Sequence, residues 1–160
     1  MSAVRSAVIP SELLFGTVVP AMVTPMTDEG AVDLEAAAAL AEHLVDRGAD
    51  GLVVTGTTGE TSTLTDDENV AMFRTVVEAV GGTGTNDTAH TLELSRRAAE
   101  TGVDGLLLVT PYYNKPNQAG IRAHFEAVAD GVDLPIMLYD IPGRSVMPIE
   151  PETVIALAQH

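Results

Sequence analysis

Short apolar runs alternate with amphipathic segments along the chain. The apolar runs cover residues 17–24, 51–55, 105–110 and 134–139, and each is apolar along most of its length. Strands that are apolar on both faces are typical of a parallel sheet covered by helices. The pattern therefore predicts four strands of such a sheet.

The segments that follow these runs have the period and the caps of helices. Asp33 stands where it can cap a helix that Gly48 ends, and Thr65 and Glu68 have the spacing of a capping box. Apolar side chains then recur at intervals of three and four residues, which favours one buried helical face. The predicted helices cover residues 33–47, 65–80, 88–101 and 117–130, and a last one opens at Pro151.

One place in this alternation lacks its strand. The helix predicted to end at Val80 is followed by the stretch GGTGTND, residues 81–87, and then by the helix that starts near Thr88. Parallel topology requires a strand between successive helices of this kind. We therefore expect the third strand of the sheet to be missing.

Strands alternating with helices fit either a doubly wound sheet or a (β/α)8 barrel. Polar clusters follow strand after strand, as barrel active sites require, and no glycine-rich dinucleotide turn follows the first strand. We therefore expect an α/β fold, a partial (β/α)8 TIM barrel with roughly its first five units. It should occupy residues 15–160, after a frayed tail over residues 1–14.

Composition narrows the classes of function. The 160 residues suffice for one domain, and there is no Cys for a disulfide or a thiolate metal site. The formal charge of −15 disfavours nucleic acid and anionic membranes as partners. The four His residues have no ligand spacing, so no metal is expected. The amino terminus lacks the long apolar region of a signal peptide and no run approaches a membrane span, so we expect a cytoplasmic protein.

The polar clusters at the strand ends hold the candidate chemistry. Hydroxyls flanked by glycines, as in residues 56–60 (GTTGE), let a small anion approach backbone N–H groups. Residues 111–114 (PYYN) and 139–144 (YDIPGR) contain all three Tyr, which can relay protons, and an Arg that can bind a carboxylate. Each cluster alone could be an ordinary turn, so the hypothesis depends on their occurring together.

The set VVPAMVTPM, GTTGE, GTGTND, TPYYNKP and LYDIPGR resembles the dihydrodipicolinate (4-hydroxy-tetrahydrodipicolinate) synthase family from about Phe15 to His160. The resemblance implies a lyase that condenses pyruvate with L-aspartate-4-semialdehyde, through a Schiff base, in lysine and diaminopimelate biosynthesis. It implies no cofactor and a homotetramer built from tight dimers. GTTGE is shared with related lyases such as N-acetylneuraminate lyase, so another pyruvate-dependent aldolase remains an alternative.

The resemblance also implies roles for individual residues. Tyr139 would donate and accept protons beside the Schiff base. Thr57 would link Tyr139 to Tyr113, and the family's matching Tyr is lent by a neighbouring subunit. Thr58 would help hold the pyruvate carboxylate, and Arg144 would receive the carboxylate of the semialdehyde.

Two further positions concern regulation. Asn86 and Tyr112 match positions of the family's lysine-effector site. His90 stands where lysine-sensitive members often have an acid.

The Schiff-base lysine itself is expected to be absent. In the family it lies on the strand that follows the helix beginning near Glu152, which is beyond His160. Lys115 is the single Lys of the chain and matches a loop position that lacks the desolvation needed for imine formation. We therefore expect this chain alone to be inactive, with a non-catalytic fragment that folds only by association as the alternative.

Overall fold

The computed structural model describes residues 14–76 and 79–160, so the predicted tail lies outside the described residues except for Leu14. The strands are β1 (Leu52–Val54), β2 (Ala79–Gly82), β3 (Gly105–Val109) and β4 (Ile136–Tyr139). The helices are α1 (Leu34–Asp46), α2 (Asp66–Thr75), α3 (Thr88–Ala99), α4 (Gln118–Ala129), α5 (Pro142–Ser145) and α6 (Pro151–Ala158). None of the described helices is long and apolar enough to cross a membrane.

The four strands form one parallel sheet in the order β1-β2-β3-β4. The register pairs Leu52 with Ala79, Val80 with Gly105 and Leu106 with Ile136. Helices α2, α3 and α4 connect successive strands, so the predicted alternation of strands and helices is confirmed.

The first apolar run, residues 17–24, lies along the free edge of β1. The Met22 N–H donates to the Val53 carbonyl over 2.9 Å, and the Val53 N–H donates to the Pro20 carbonyl over 2.9 Å. Only Ala21 is bridged to Val53 as in a parallel ladder. Pro20 has no N–H to continue the ladder, so the run occupies a strand position without becoming a full strand.

The prediction of a helix to Val80 and a missing third strand was wrong. Helix α2 ends at Thr75, and Val76 already has extended dihedrals (φ −103°, ψ 119°). β2 then pairs with β1 on one side and β3 on the other. The spacing of Val70, Val77 and Val80 in the sequence favours a helix. Pairing of β2 on both edges and burial of its four residues favour a strand more strongly, because strand preference depends on context.

Two glycines allow β2 to lie this close to its neighbours. A Cβ on Gly81 would meet the Phe73 ring at 3.1 Å, and one on Gly82 would meet the Thr55 carbonyl oxygen at 2.4 Å. Glycine inside a strand often marks a close backbone approach. Gly81 and Gly82, which the sequence analysis placed after the end of a helix, therefore belong to β2, at positions where a side chain would not fit.

Replacing Gly82 tests this account of β2. Gly82→Ala should lower the free energy of unfolding by about 1–3 kcal/mol, the usual cost of overpacking, because backbone atoms block the added methyl group. Gly143→Ala is the matched control, since its Cβ would meet nothing within 4 Å, and should change stability by less than about 1 kcal/mol. Urea denaturation measures both; equal effects would contradict the close packing of β2.

His124 is buried between α3 and α4. It is 4% exposed, its Nδ1 lies 2.9 Å from the Thr88 hydroxyl, and its Nε2 has no partner among the described residues. Burial lowers the pKa of His124 below its ordinary value of 6.5, although the charge of Asp87 opposes the shift. The ring is therefore held in its neutral form, since a proton on Nε2 would be buried without a partner.

The lowered pKa of His124 predicts a loss of stability in mild acid. Unfolded His124 binds a proton as the pH falls below about 6.5, whereas the folded form resists protonation, so this contribution to stability is complete above pH 6.5 and decreases below it. The chain contains three other histidines, so the contribution of His124 is measured as a difference from a His124 variant. Urea denaturation of wild type and His124→Asn from pH 5 to 8 should show the wild type losing more stability at low pH; parallel profiles would contradict the prediction.

Candidate active site

Loops from four strands meet at the carboxyl-terminal edge of the sheet. They cover residues 55–65 after β1, 83–87 after β2, 110–117 after β3 and 140–150 after β4. The polar clusters that the sequence analysis selected lie in these loops, except that Tyr139 is the last residue of β4. The carboxyl ends of parallel strands are also where parallel barrels place their sites.

Two adjoining cavities lie among these loops and share Thr57, Thr61, Gly84 and Val109. The smaller cavity has a volume of about 30 Å³. Its other lining residues are Thr55, Gly56, Gly82, Leu107 and Tyr139. The larger, of about 250 Å³, is completed by Ser62, Tyr112, Ile141, Arg144 and Ser145. Arg144 is the one charged residue among the described residues lining the larger cavity, where the other polar groups are hydroxyls. This combination suits a small molecule that carries a carboxylate.

Unusual backbone conformations are concentrated at this edge. Among the described non-glycine residues, the positive φ angles are those of Thr55 (49°), Glu60 (58°), Tyr113 (70°), Lys115 (49°) and Val146 (71°). All five follow the carboxyl ends of β1, β3 or β4. Such conformations cost about 1–3 kcal/mol each and persist where the surroundings fix them, so they mark this edge as a candidate site.

A hydrogen bond from Thr24, which the sequence analysis did not select, holds the loop after β1. The buried Thr24 hydroxyl donates to the Gly59 carbonyl over 2.7 Å. A Cβ on Gly59 would meet Thr55 Cα at 3.0 Å and the Met22 carbonyl oxygen at 3.1 Å. Thr24 and this close packing therefore fix the turn that presents Thr57. The signal for Thr24 was its place at the end of the first apolar run.

Four of the predicted site residues lie together. Tyr139 and Thr57 line the smaller cavity, and Thr57, Tyr112 and Arg144 line the larger one. Tyr139 is half-buried, as expected for the last residue of β4 with its ring directed toward the cavity.

Three other predicted residues do not line either cavity. Thr58 is exposed on the turn after β1, and Tyr113 is 85% exposed. Asn86 is half-buried, and its backbone carbonyl oxygen accepts a hydrogen bond of 2.8 Å from the side-chain amide of Asn114. That bond ties the loop after β2 to the loop after β3.

The loop after β4 holds Arg144 on a single helical turn, α5. The buried Ser145 hydroxyl contacts the carbonyls of Ile141 and Met147 at 3.1 and 3.2 Å, and Asp140 accepts from the Ile149 N–H at 3.2 Å. Arg144 is thereby carried at the rim of the larger cavity with its side chain exposed.

His90 is engaged away from these cavities. Its Nε2 lies 2.9 and 3.0 Å from the two carboxylate oxygens of Asp66 on α2, and Arg97 contacts Asp67 at 2.5 Å. The pairs connect α2 to α3 on the surface.

The described residues contain no group of three or more His, Asp or Glu placed to hold a metal ion. Another cavity, of about 190 Å³, lies toward the amino ends of the strands and is lined by Phe15, Asp50 and Asp104 among others. Residues at that end of a parallel barrel contribute to stability rather than to a site. The carboxyl-terminal edge is therefore the candidate active site.

The fold and this edge define a class: a partial parallel α/β barrel whose site combines hydroxyls, a tyrosine and one arginine. The sequence profile of the dihydrodipicolinate synthetase family matches residues 14–160. A 4-hydroxy-tetrahydrodipicolinate synthase of Kineococcus radiotolerans is 61% identical over 153 residues, which cover 91% of this chain and 50% of the relative.

Solved structures agree with this assignment. Dihydrodipicolinate synthase DapA-2 of Bacillus anthracis has a TM-score of 0.89 and 45% identity over 91% of this chain and 52% of its own. The enzyme of Cyanidioschyzon merolae, solved with lysine bound, has the same TM-score, identity and coverage. The chain belongs to the dihydrodipicolinate synthetase family, its fold is part of a TIM barrel, and it spans about half the length of the relatives it matches.

The contact between Thr24 and Gly59 can be tested directly. Thr24→Val keeps the shape of the side chain but leaves the buried Gly59 carbonyl without its donor, so the free energy of unfolding should fall by about 1–3 kcal/mol. Amide NMR signals of residues 56–60 should shift as well. Thr24→Ser, which keeps the hydroxyl, is the control and should preserve those signals. Signals that respond equally in both variants would contradict the role of the hydroxyl.

Proposed function

We propose that this chain forms the front half of a barrel that condenses pyruvate with L-aspartate-4-semialdehyde. The observation that carries the proposal is the joint lining of adjoining cavities by Tyr139, Thr57 and Arg144 in a chain of this family. The product would be 4-hydroxy-tetrahydrodipicolinate, in the biosynthesis of diaminopimelate and lysine.

The chemistry requires an amine nucleophile. A lysine amine adds to the keto carbon of pyruvate and loses water to give a Schiff base, and loss of a methyl proton then gives an enamine. The enamine carbon attacks the aldehyde carbon of the second substrate, and the aldehyde oxygen takes up a proton. The amino group of the semialdehyde then attacks the imine carbon and displaces the lysine amine, which closes the ring and frees the lysine. Tyr139, at the smaller cavity, is the proposed donor and acceptor of these protons, and Thr57 is the proposed link in its proton relay.

Lys115 does not fit the role of the nucleophile. It is exposed in the loop after β3, at a φ of 49°, and lacks the desolvated pocket that activates an imine-forming lysine. The Schiff-base lysine is therefore proposed to come from a part of the barrel outside these 160 residues. On this proposal the chain binds and orients substrates but does not form the imine by itself.

The carboxylates of the two substrates are assigned to different groups. Arg144, at the rim of the larger cavity, is the proposed partner of the semialdehyde carboxylate. Thr58 is the proposed partner of the pyruvate carboxylate, although it lies on the exposed side of its turn in the isolated chain.

Tyr113 is proposed to act in a neighbouring subunit. It is 85% exposed and held at a φ of 70°, so its ring projects away from the cavities of its own chain. This exposure supports a homotetramer built from tight dimers, in which the relay from Thr57 is completed across the interface. A cytoplasmic location is proposed with it.

Two residues are proposed to bind lysine as a regulatory effector. They are Asn86 and Tyr112, and Tyr112 lines the larger cavity. His90, which stands where an acid would pair with an amine, is instead engaged by Asp66.

A chimera tests the proposed reaction. Residues 1–160 are joined to the carboxyl-terminal half of the Kineococcus radiotolerans relative, and synthase activity is measured by substrate-dependent product formation. Tyr139→Phe should lower kcat by about 10²–10⁴-fold through loss of proton transfer. Arg144→Ala should raise KM for the semialdehyde more than KM for pyruvate, whereas the exposed Arg122→Ala should change neither.

The same chimera separates the alternatives. An active chimera that prefers a different aldehyde would favour another pyruvate-dependent lyase. Full activity of Tyr139→Phe would contradict the proposed proton transfer. Borohydride with pyruvate should leave residues 1–160 alone unlabelled, and a reduced pyruvate adduct on Lys115 would overturn the assignment of the lysine to another part of the barrel.

A further inference from the structure

Gln118, the first residue of α4, joins that helix to the segment that follows Arg144. Its side-chain Nε2 donates to the Pro148 carbonyl over 2.9 Å. Its Oε1 accepts from the Glu150 N–H over 3.1 Å and from the Thr153 hydroxyl over 2.7 Å. Gln118 is half-buried and Thr153 is buried, so these bonds are partly shielded from water. One amide group therefore holds the end of the loop after β4 and the first turn of α6 against α4.

The other side-chain hydrogen bonds of this loop come from within it. The Ser145 hydroxyl contacts the carbonyls of Ile141 and Met147, and Asp140 accepts from the Ile149 N–H. Among the described side chains outside residues 136–160, Gln118 is the one that forms hydrogen bonds with residues 140–153. The attachment of this loop to the neighbouring helix by side-chain hydrogen bonds therefore depends on Gln118.

Val146 lies between Arg144 and these contacts in a conformation that needs support. Its φ is 71° and its ψ is −46°, which is unusual for a β-branched residue. Its side chain is 51% exposed, so packing supplies little of that support. Such conformations persist where the surroundings fix them. The hydrogen bond from the Val146 N–H to the Pro142 carbonyl, of 2.9 Å, fixes one side, and the bonds of Gln118 fix the other.

The place of Arg144 at the larger cavity depends on this backbone. Its side chain is exposed, and an exposed arginine has many rotamers, so the backbone decides which part of the cavity the guanidinium reaches. Tyr112 lines the same cavity from the loop that leads into Gln118. Gln118 therefore ties together the two loops that carry Tyr112 and Arg144, although it lines neither cavity itself.

We propose that Gln118 is a positioning residue, which holds the loop after β4 in the conformation that presents Arg144 to the carboxylate of the aldehyde substrate. The inference rests on the proposed function, since it concerns the group that binds the second substrate. Gln118 acts through the loop and does not touch the substrate. Its loss should therefore weaken the binding of a carboxylate-bearing aldehyde and spare the steps that involve pyruvate alone.

Amide hydrogen exchange of this chain tests the hold on the loop. Gln118→Met keeps the length of the side chain and the preference for a helix but removes three hydrogen bonds. The amides of Arg144, Val146 and Ile149 should then exchange at least about tenfold faster, while those of β3 keep their rates. Arg122→Met is the matched control, because Arg122 is bonded within α4, to Glu126 over 2.6 Å, and should leave all these rates unchanged. Unchanged exchange in Gln118→Met, or an increase that β3 shares, would overturn the proposal.

Kinetics of the chimera test the link to Arg144. Gln118→Met should raise KM for the semialdehyde by about tenfold or more, because the bond from Arg144 to the carboxylate is weakened, and should leave kcat and KM for pyruvate unchanged. Gln118→Glu keeps the acceptor for the Glu150 N–H and the Thr153 hydroxyl, so it should restore part of the affinity. In the Arg144→Ala background, Gln118→Met should have no further effect on this KM. Additive effects of the two changes would overturn the proposal.

The two measurements separate this proposal from the proposed function. Faster exchange at Arg144 together with the expected change in KM supports both. Faster exchange at Arg144 in a chain whose chimera lacks synthase activity supports the role of Gln118 in positioning the loop and counts against the proposed function. Unchanged exchange in Gln118→Met overturns the role of Gln118 whether or not the chimera is active.

Discussion

The close approach of β2 to β1 is the constraint on which the rest of the structure depends. Gly82 lies so near the Thr55 carbonyl that a Cβ would come within 2.4 Å of it, and Gly81 lies against the ring of Phe73. With β2 in this place, β1 and β3 are joined into one sheet and the loops after all four strands reach the same edge. Without it, Thr57 would lie on a different sheet from Tyr139 and the two would not line one cavity.

A second close approach extends this arrangement to the site. Gly59 packs against Thr55 and Met22, and its carbonyl accepts from Thr24. Thr55 is itself buried and held at a positive φ, which is unusual for a β-branched residue. Close backbone packing therefore holds strained conformations in the loops at the carboxyl-terminal edge of the sheet. Arg144 and Tyr113, in the loops after β4 and β3, remain exposed.

Much of the fold could be predicted from the sequence, because its signals are local. The capping box of Thr65 and Glu68 forms as predicted, with the Thr65 N–H donating to Glu68 over 2.7 Å. β2 could not be predicted, because Val80 continues the helical spacing of Val70 and Val77, and Gly81 and Gly82 resemble a turn until the neighbouring strands are known. At the site, motif residues located Tyr139, Thr57 and Arg144, whereas Thr24 acts through a contact 35 residues away along the chain that no local pattern reveals.

The sheet holds the candidate site residues at its carboxyl-terminal edge, and this arrangement depends on the position of β2. Amide hydrogen exchange measures that position most directly. The amides of residues 79–82 should exchange as slowly as those of β3, through the same cooperative opening. Exchange of residues 79–82 as fast as that of the exposed loop around Tyr113 would contradict it.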